Sequence, residues 1–182
     1  EWQAAWLLKA ITLMDLTTLN SDDTPGRVER LCAKARHPLT DEIVDGYDIA
    51  GLRIVPAAVC VYHAFVPTAV RALEGSGIPV AAVSTAFPHG LAPVDTKIRE
   101  IEESVAAGAK EIDIVIERQM VLTGDWQGLY EQIRAFRKAC GEAHLKTILG
   151  TGELATLNNV AKASLVCMLA GADFIKTSTG KE

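Results

Sequence analysis

The 182-residue sequence lacks any apolar run close to the roughly 18 residues that a membrane-spanning helix requires. Its N-terminus does not have the pattern of a signal peptide. It contains no long basic block, and its net charge at pH 7 is −5. Because nucleic-acid binding depends largely on clustered lysine and arginine, we expect a globular protein that binds neither nucleic acids nor membranes.

Closely spaced cysteines are lacking as well. The chain has four cysteines and no C-x-x-C pair: Cys32, Cys60, Cys140 and Cys167. Its four histidines show no spacing typical of metal ligands either. This pattern predicts reduced, mostly buried thiols in a cytoplasmic protein, without a zinc site.

What the chain does contain is a regular alternation of apolar segments. Short apolar runs typical of buried parallel strands alternate with segments whose apolar residues recur at helical spacing. Six strands are predicted, at residues 13–19, 57–62, 80–85, 112–116, 145–149 and 174–175. Residues 37–54 have no clear period and indicate an insertion or a short extra helix. The alternation predicts an α/β fold with a parallel sheet and helical crossovers.

Two architectures compete for this pattern, an open doubly wound sheet and a closed (β/α)8 barrel. No G-x-G-x-x-G motif follows the first strand, which weakens the dinucleotide-binding form of the open sheet. Polar residues lie where strands are predicted to end, among them Asp15, Ser84, Asp113, Lys146 and Lys176. Barrel enzymes build their sites from such strand ends, so the distribution favours one barrel domain over residues 1–182, with about six β/α units.

Lys176 follows the last predicted strand, Phe174 and Ile175, which we expect to be buried. Burial disfavours a charged ammonium and lowers its pKa from the ordinary value of about 10.4. A neutral amine is a nucleophile for carbonyl groups, which is the first step of Schiff-base catalysis. The alternative is a lysine that extends along the strand to reach water.

An internal repeat relates Lys176 to Asp113. The segments Ala-Gly-Ala-Lys-Glu-Ile-Asp at 107–113 and Ala-Gly-Ala-Asp-Phe-Ile-Lys at 170–176 match in helix end, turn and strand. Side chains of alternate strands share a layer inside a barrel, so equal register predicts Asp113 and Lys176 in one layer. The carboxylate is then either a proton shuttle beside the amine or half of a structural ion pair.

Lys146 lies on the strand before Lys176 and is the third candidate. Two amines held close together lower each other's pKa, which is one way to make a lysine nucleophilic at neutral pH. A surface lysine just after a helix–strand turn is the alternative at this position.

Five motifs resemble those of the deoxyribose-phosphate aldolases, a family of class I aldolases, and are closest to the animal-type members. They are Leu-Met-Asp-Leu-Thr-Thr-Leu at 13–19, Ala-Val-Cys-Val-Tyr at 58–62, Glu-Ile-Asp-Ile-Val at 111–115, Leu-Lys-Thr-Ile at 145–148 with Thr-Gly-Glu-Leu at 151–154, and Phe-Ile-Lys-Thr-Ser-Thr-Gly-Lys at 174–181. The resemblance implies a (β/α)8 barrel. It further implies reversible cleavage of 2-deoxy-D-ribose 5-phosphate to acetaldehyde and glyceraldehyde 3-phosphate, in deoxynucleoside catabolism, with no metal and no cofactor.

The resemblance also implies roles for individual residues. Lys176 is the expected Schiff-base lysine, Asp113 the proton-relay residue, and Lys146 a supporting catalytic amine. The expected substrate-binding residues are Asp15, Cys60, Thr177, Gly180 and Lys181, of which Gly180 and Lys181 would hold the phosphate. Cys60 alternatively is a plain core residue. The expected partners are a small phosphorylated sugar and aldehydes, together with other copies of the chain in a homo-oligomer.

The sequence departs from the family pattern in three respects. It ends after six strand–helix starts, whereas such barrels typically take about 250 residues. We therefore expect a fragment or truncated form that lacks strands seven and eight, the family's second active-site lysine and most of its phosphate loops. Gly150 precedes the Thr-Gly-Glu motif, and Glu117 follows the Asp113 strand where a less charged residue is expected.

Three functions are compatible with these residues. The first is a class I aldolase that acts on deoxyribose phosphate. The second is another phosphosugar barrel enzyme that uses Lys176 as a charge and not as a nucleophile. The third is an inactive fragment that acts only by association with the parent enzyme or other proteins, since an incomplete parallel sheet exposes its edges and apolar residues. Reduction of an imine with borohydride separates the first from the other two.

Overall fold

The computed structural model describes residues 2–181, in which strands and helices alternate as predicted and which fall into two compact units. The first unit runs to Ala81, and the second begins at Ala82. Glu1 and Glu182, the two ends of the predicted domain, lie outside the described residues, and a single barrel domain over 1–182 stays a prediction.

The first unit contains a parallel strand pair and four helices. Its strands are β1 (Asp15–Thr17) and β2 (Ala58–Tyr62), with Asp15 opposite Ala58 and Thr17 opposite Cys60. Its helices are α1 (Trp2–Ile11), α2 (Pro25–Arg36), α3 (Asp41–Gly46) and α4 (Val66–Ala72). The short helix α3 confirms an extra helix within residues 37–54. The first strand is shorter than predicted, because only three of its seven residues take part in strand pairing.

Strand β3 (Val80–Ser84) spans the boundary, and the second unit continues with three strands and four helices. The strands are β4 (Glu111–Val115), β5 (His144–Ile148) and β6 (Phe174–Lys176). The helices are α5 (Val94–Ala106), α6 (Arg118–Thr123), α7 (Trp126–Cys140) and α8 (Leu157–Leu169). Strand β5 pairs in parallel with both β4 and β6. Helix α6 was not predicted, because its six residues are too few to show a helical period.

Helix α7 shows why these segments fold as they do. Asp125 caps its N-terminus by accepting a hydrogen bond from the Gly128 amide at 2.9 Å. The apolar residues Leu129, Ile133 and Phe136 recur on one face and are fully buried. Burial of a side chain of this size stabilises the fold by about 1.5–3 kcal/mol. This apolar face packs helix α7 into the core of the second unit.

Buried thiols agree with the prediction from cysteine spacing. All four cysteines are buried. Burial raises the pKa of Cys32 and of Cys167 to about 11, and that of Cys140 to about 12. These three groups are therefore protonated at neutral pH, which makes them poor nucleophiles.

Phe174 does not follow the prediction of a buried last strand, because it is 51% exposed. Its ring lies edge-on to that of His144, with 6.0 Å between centroids. Contact with one neighbouring ring on β5 covers only part of so large a side chain, whereas Ile175 is half-buried.

Glu117, unexpected in the sequence, belongs to a buried ion pair in the second unit. Its carboxylate contacts the Lys97 ammonium, whose residue is fully buried, and accepts a hydrogen bond from Gln132 Nε2 at 2.8 Å. A further bond comes from Gln119 Nε2 at 2.9 Å. Burial acts to raise the pKa of Glu117, but the hydrogen bonds from Lys97, Gln132 and Gln119 outweigh it and hold the pKa below the ordinary value of 4.5. The charge is therefore needed to neutralise Lys97.

This pair should make stability depend on pH in acid. Because the folded-state pKa of Glu117 is lowered, its stabilising contribution is present above about pH 4.5 and is lost as the pH falls through the folded-state value. Replacing Glu117 by Gln should cost about 3–5 kcal/mol at pH 7, since it leaves a buried charge uncompensated. The difference in free energy of unfolding between wild type and variant should become smaller as the pH falls below about 4.5, because Glu117 of the wild type then becomes protonated. Urea unfolding at several pH values measures this difference.

The double variant Lys97→Met/Glu117→Gln is the matched control, because it removes both charges. It should be more stable than either single variant. If the double variant instead loses as much unfolding free energy as the two single variants together, Lys97 and Glu117 do not interact directly.

Candidate active site

Three of the predicted site residues lie together in the second unit, around the buried carboxylate of Asp113. The Lys176 ammonium donates to Asp113 Oδ2 at 2.5 Å, and Lys146 Nζ lies 3.5 Å from Asp113 Oδ1. The Asp113 side chain is fully buried, that of Lys146 is 8% exposed, and that of Lys176 is 32% exposed. One carboxylate thus serves two amines, of which only Lys176 is substantially accessible to a substrate.

The sheet register explains how these side chains meet and corrects the expectation of equal register. Asp113 lies opposite Lys146, and Lys146 lies opposite Phe174. Lys176 is therefore two residues further along β6 than the internal repeat indicated. Side chains two residues apart lie on the same face of a strand, so Lys176 still points to the same side of the sheet as Asp113. The long side chain of Lys176 spans the difference and returns to Asp113.

A second carboxylate, which sequence analysis missed, completes the cluster. Glu111 lies two residues before Asp113 on β4, and one of its oxygens contacts the Lys146 ammonium. Its side chain is 13% exposed, and its other oxygen lies 3.9 Å from His144 Nδ1. The spacing of Glu111 and Asp113 places both on one face of the strand, a signal that was available in the sequence. Positive and negative groups thus alternate from Lys176 through Asp113 and Lys146 to Glu111.

The predicted phosphate-binding residues follow β6. Thr177 accepts a hydrogen bond at its carbonyl from the Thr151 amide at 2.8 Å, which ties the turn after β5 to the chain beside Lys176. Gly180 has a φ of +70°, and the Lys181 amide donates to Thr179 Oγ1 at 3.2 Å. Thr179 and Lys181 also line a cavity of about 260 Å³ with Pro88, His89, Gly152 and Glu153. Exposed hydroxyl, amide and ammonium groups in this segment are suited to an anionic ligand.

Asp15 and Cys60 belong to the first unit. Asp15 begins β1 and is half-buried, and Cys60 is fully buried on β2. Their roles toward a substrate stay predictions. Among residues 2–181, no group of three or more histidine, cysteine or acidic side chains could hold a metal ion. No helix among them is long and apolar enough to cross a membrane.

Gly150 fits closely against Arg118, which explains its place in the turn after β5. Gly150 has a φ of +66°, and a Cβ atom built there would lie 2.4 Å from Arg118 Nε. Arg118 Nε lies 2.5 Å from Glu153 Oε2, and the same guanidinium donates to the carbonyls of Pro88 and His89. The small residue therefore lets one arginine link the turns that follow β3 and β5.

Comparisons with known proteins show to which family the chain belongs. A sequence profile described as DeoC/LacD family aldolase matches residues 9–182. The chain is 58% identical to the human deoxyribose-phosphate aldolase over 184 residues, and equally to the bovine one. Each alignment covers 100% of this chain and 58% of the relative, so the chain spans little more than half the length of these proteins.

Solved structures show the same fold. A tetrameric deoxyribose phosphate aldolase from Aeropyrum pernix superposes with a TM-score of 0.76 at 24% identity, covering 96% of this chain and 66% of that one. An aldolase named QR15 superposes with a TM-score of 0.77 at 27% identity, covering 94% and 68%. The predicted α/β fold of the (β/α)8 barrel family is therefore confirmed.

Replacing Gly150 by Ala tests the close approach to Arg118. We expect a loss of about 1–2 kcal/mol from the left-handed backbone alone. Displacement of Arg118 should add a further loss, measured by urea unfolding.

Gly75→Ala is the matched control, because Gly75 has a φ of +74° but no atom within 4 Å of its built Cβ position. Equal losses in the two variants would show that contact with Arg118 contributes nothing.

Proposed function

Because the chain belongs to the DeoC/LacD family of aldolases, we propose that it acts as a class I aldolase on 2-deoxy-D-ribose 5-phosphate. The proposed reaction is reversible cleavage to acetaldehyde and glyceraldehyde 3-phosphate, in deoxynucleoside catabolism. The observation that carries the proposal is the 2.5 Å contact between the Lys176 amine and the buried Asp113 carboxylate. An accessible amine and a carboxylate held this close are the two groups that Schiff-base chemistry needs.

In the first half of the proposed reaction, Asp113 accepts a proton from the Lys176 ammonium. The neutral amine then attacks the aldehyde carbon, and the new N–C bond forms as the carbonyl π electrons move to oxygen. Asp113 returns the proton to that oxygen, directly or through water, to give a carbinolamine. The nitrogen of this carbinolamine is still protonated. Its proton passes to the hydroxyl oxygen through Asp113 or water, and water then leaves as the nitrogen lone pair forms the iminium. Ammonium and aldehyde thus become iminium and water without a change in net charge.

In the second half, the iminium withdraws the electron pair of the C2–C3 bond. A base removes the proton from the C3 hydroxyl as this bond breaks, which releases glyceraldehyde 3-phosphate and leaves an enamine. Protonation of the enamine carbon and hydrolysis then release acetaldehyde and restore the Lys176 amine. Asp113 is the proposed base and acid in these steps, and Lys146 holds positive charge beside it.

We propose that the segment after β6 binds the phosphate. Thr177, Gly180 and Lys181 supply a hydroxyl group, backbone amides and a point charge. Asp15 and Cys60 are proposed substrate contacts by family resemblance. Lys176 acting only as a charge in another phosphosugar enzyme, and an inactive chain that acts by association, are the alternatives.

A cytoplasmic location and a homo-oligomer complete the proposal. Buried protonated thiols support the first. Exposed apolar side chains on α1 support the second, since Trp2 is 83% and Trp6 is 70% exposed. Sedimentation equilibrium should detect an oligomer, and a strict monomer at all concentrations would contradict it.

Borohydride trapping tests the Schiff base. The chain incubated with deoxyribose 5-phosphate and reduced with borohydride should carry a covalent adduct on Lys176, located by peptide mass spectrometry. Lys176→Met should abolish the adduct, whereas Lys138→Met, at an exposed lysine on α7, should leave it unchanged. The human aldolase is the positive control for trapping. An adduct in the human enzyme but none on Lys176 would contradict the proposal for this chain.

Asp113→Asn tests the proton relay. We expect acetaldehyde release to slow by about 10²–10⁴-fold, the usual contribution of a positioned acid–base group. Long incubation should still give the Lys176 adduct, because the nucleophile remains. Asp95→Asn, at an exposed carboxylate in the first turn of α5, should release acetaldehyde at the wild-type rate. Wild-type release by Asp113→Asn would exclude Asp113 as the proton carrier.

A further inference from the structure

Glu111 is the ionisable group in the cluster that the proposed reaction does not use. It lies on the same face of β4 as Asp113, two residues earlier and further from Lys176. Its carboxylate contacts Lys146, and a carboxylate and an ammonium that are both mostly buried stabilise one another's charge. Glu111 therefore neutralises Lys146 on the side away from Lys176.

The distances divide the four charges into two pairs. Lys176 lies 2.5 Å from Asp113, and Lys146 lies nearer to Glu111 than to Asp113, from which it is 3.5 Å away. An acceptor of protons loses basicity when a second cation closes on it, because each nearby positive charge favours its ionised form. The contact with Glu111 therefore holds Lys146 at 3.5 Å from Asp113, farther away than Lys176 at 2.5 Å, and keeps this second cation from closing on the carboxylate.

We propose that Glu111 is a positioning residue, which holds Lys146 in its own ion pair and so preserves Asp113 as the proton acceptor for Lys176. This inference rests on the proposed Schiff-base function. It differs from a purely structural pair, in which Glu111 only neutralises a buried lysine and the rate of imine formation does not depend on it.

Replacement of Glu111 by Gln tests the proposal, because the amide keeps the shape and removes the charge. Residue 111 then no longer neutralises Lys146, whereas the Asp113 carboxylate remains 3.5 Å from it. We expect the rate of borohydride-trapped adduct formation on Lys176 to fall about 10- to 100-fold at saturating deoxyribose 5-phosphate, part of the usual acid–base contribution. The half-saturating substrate concentration should not change, since Glu111 is not proposed to touch the substrate.

A double-mutant cycle with Lys146→Met shows whether Glu111 acts through Lys146. In the Lys146→Met background, the additional Glu111→Gln replacement should change the trapping rate by less than about threefold, because the cation that would close on Asp113 is gone. The conservative variant Glu111→Asp keeps the charge and should restore most of the rate. His144→Gln, which alters the exposed group on the other side of Glu111, should trap at the wild-type rate.

The outcomes separate this inference from the function on which it rests. No adduct on Lys176 in the wild-type chain would overturn the proposed function itself. A wild-type adduct with an unchanged rate in Glu111→Gln would overturn only the positioning role. An equal rate loss with and without Lys146 would overturn action through that lysine. Unfolding transitions measured for each variant identify loss of fold. If Glu111→Gln does not fold, Glu111→Asp is compared with wild type, each with and without Lys146→Met. A rate loss caused by the shorter side chain only when Lys146 is present would support the positioning role, and no such dependence on Lys146 would overturn it.

Discussion

The site depends on a single buried carboxylate. Asp113 is fully buried, and a carboxylate in this position is tolerated because the Lys176 and Lys146 amines approach it from two strands. The pairing fixes the spacing of β4, β5 and β6, at the middle of the first two strands and at the carboxyl end of the third, and it also places an accessible amine beside a proton acceptor. The structural requirement and the proposed chemistry are therefore met by the same contact, and neither can be altered alone.

Parallel pairing supplies the geometry that this contact requires. The four charged side chains lie on one side of the sheet: Glu111, Asp113, Lys146 and Lys176. They do so because the residues paired between strands either face each other directly or are offset by two positions, which keeps a side chain on the same face. A shift by one residue would turn a charged side chain toward the helices, where Phe136 and its apolar neighbours are packed. The apolar face of α7 and the polar face of the strands thus restrict the register from opposite sides.

Much of this could be predicted from the sequence, because local patterns determine it. Apolar runs located β2, β4 and β5 to within a residue or so, and the repeated Ala-Gly-Ala segments placed Asp113 and Lys176 on one face. The position of Lys176 relative to Asp113 along the strand direction could not be predicted, because it depends on how the strands pair and not on the pattern within one strand. The same holds for Glu117, whose unexpected charge is explained by Lys97, 20 residues away. Gly150 likewise follows from Arg118, a contact that no local pattern indicates.

The charge balance of the cluster bears on how an ion-paired lysine can also be a nucleophile. Two amines and two carboxylates give a net charge near zero, so the buried charges neutralise one another. In the proposed reaction, the Lys176 ammonium is replaced by an iminium of equal charge, and Asp113 faces a cation both before and after the step. The attraction to Asp113 that holds the Lys176 ammonium in place therefore also stabilises the iminium. Attack on the aldehyde requires only that Lys176 transfers one proton to Asp113 for a short time. In the proposal, Glu111 makes that transfer easier because its ion pair with Lys146 keeps this second cation from coming closer to Asp113 than 3.5 Å. The buried end of the cluster thereby influences the chemistry at its exposed end.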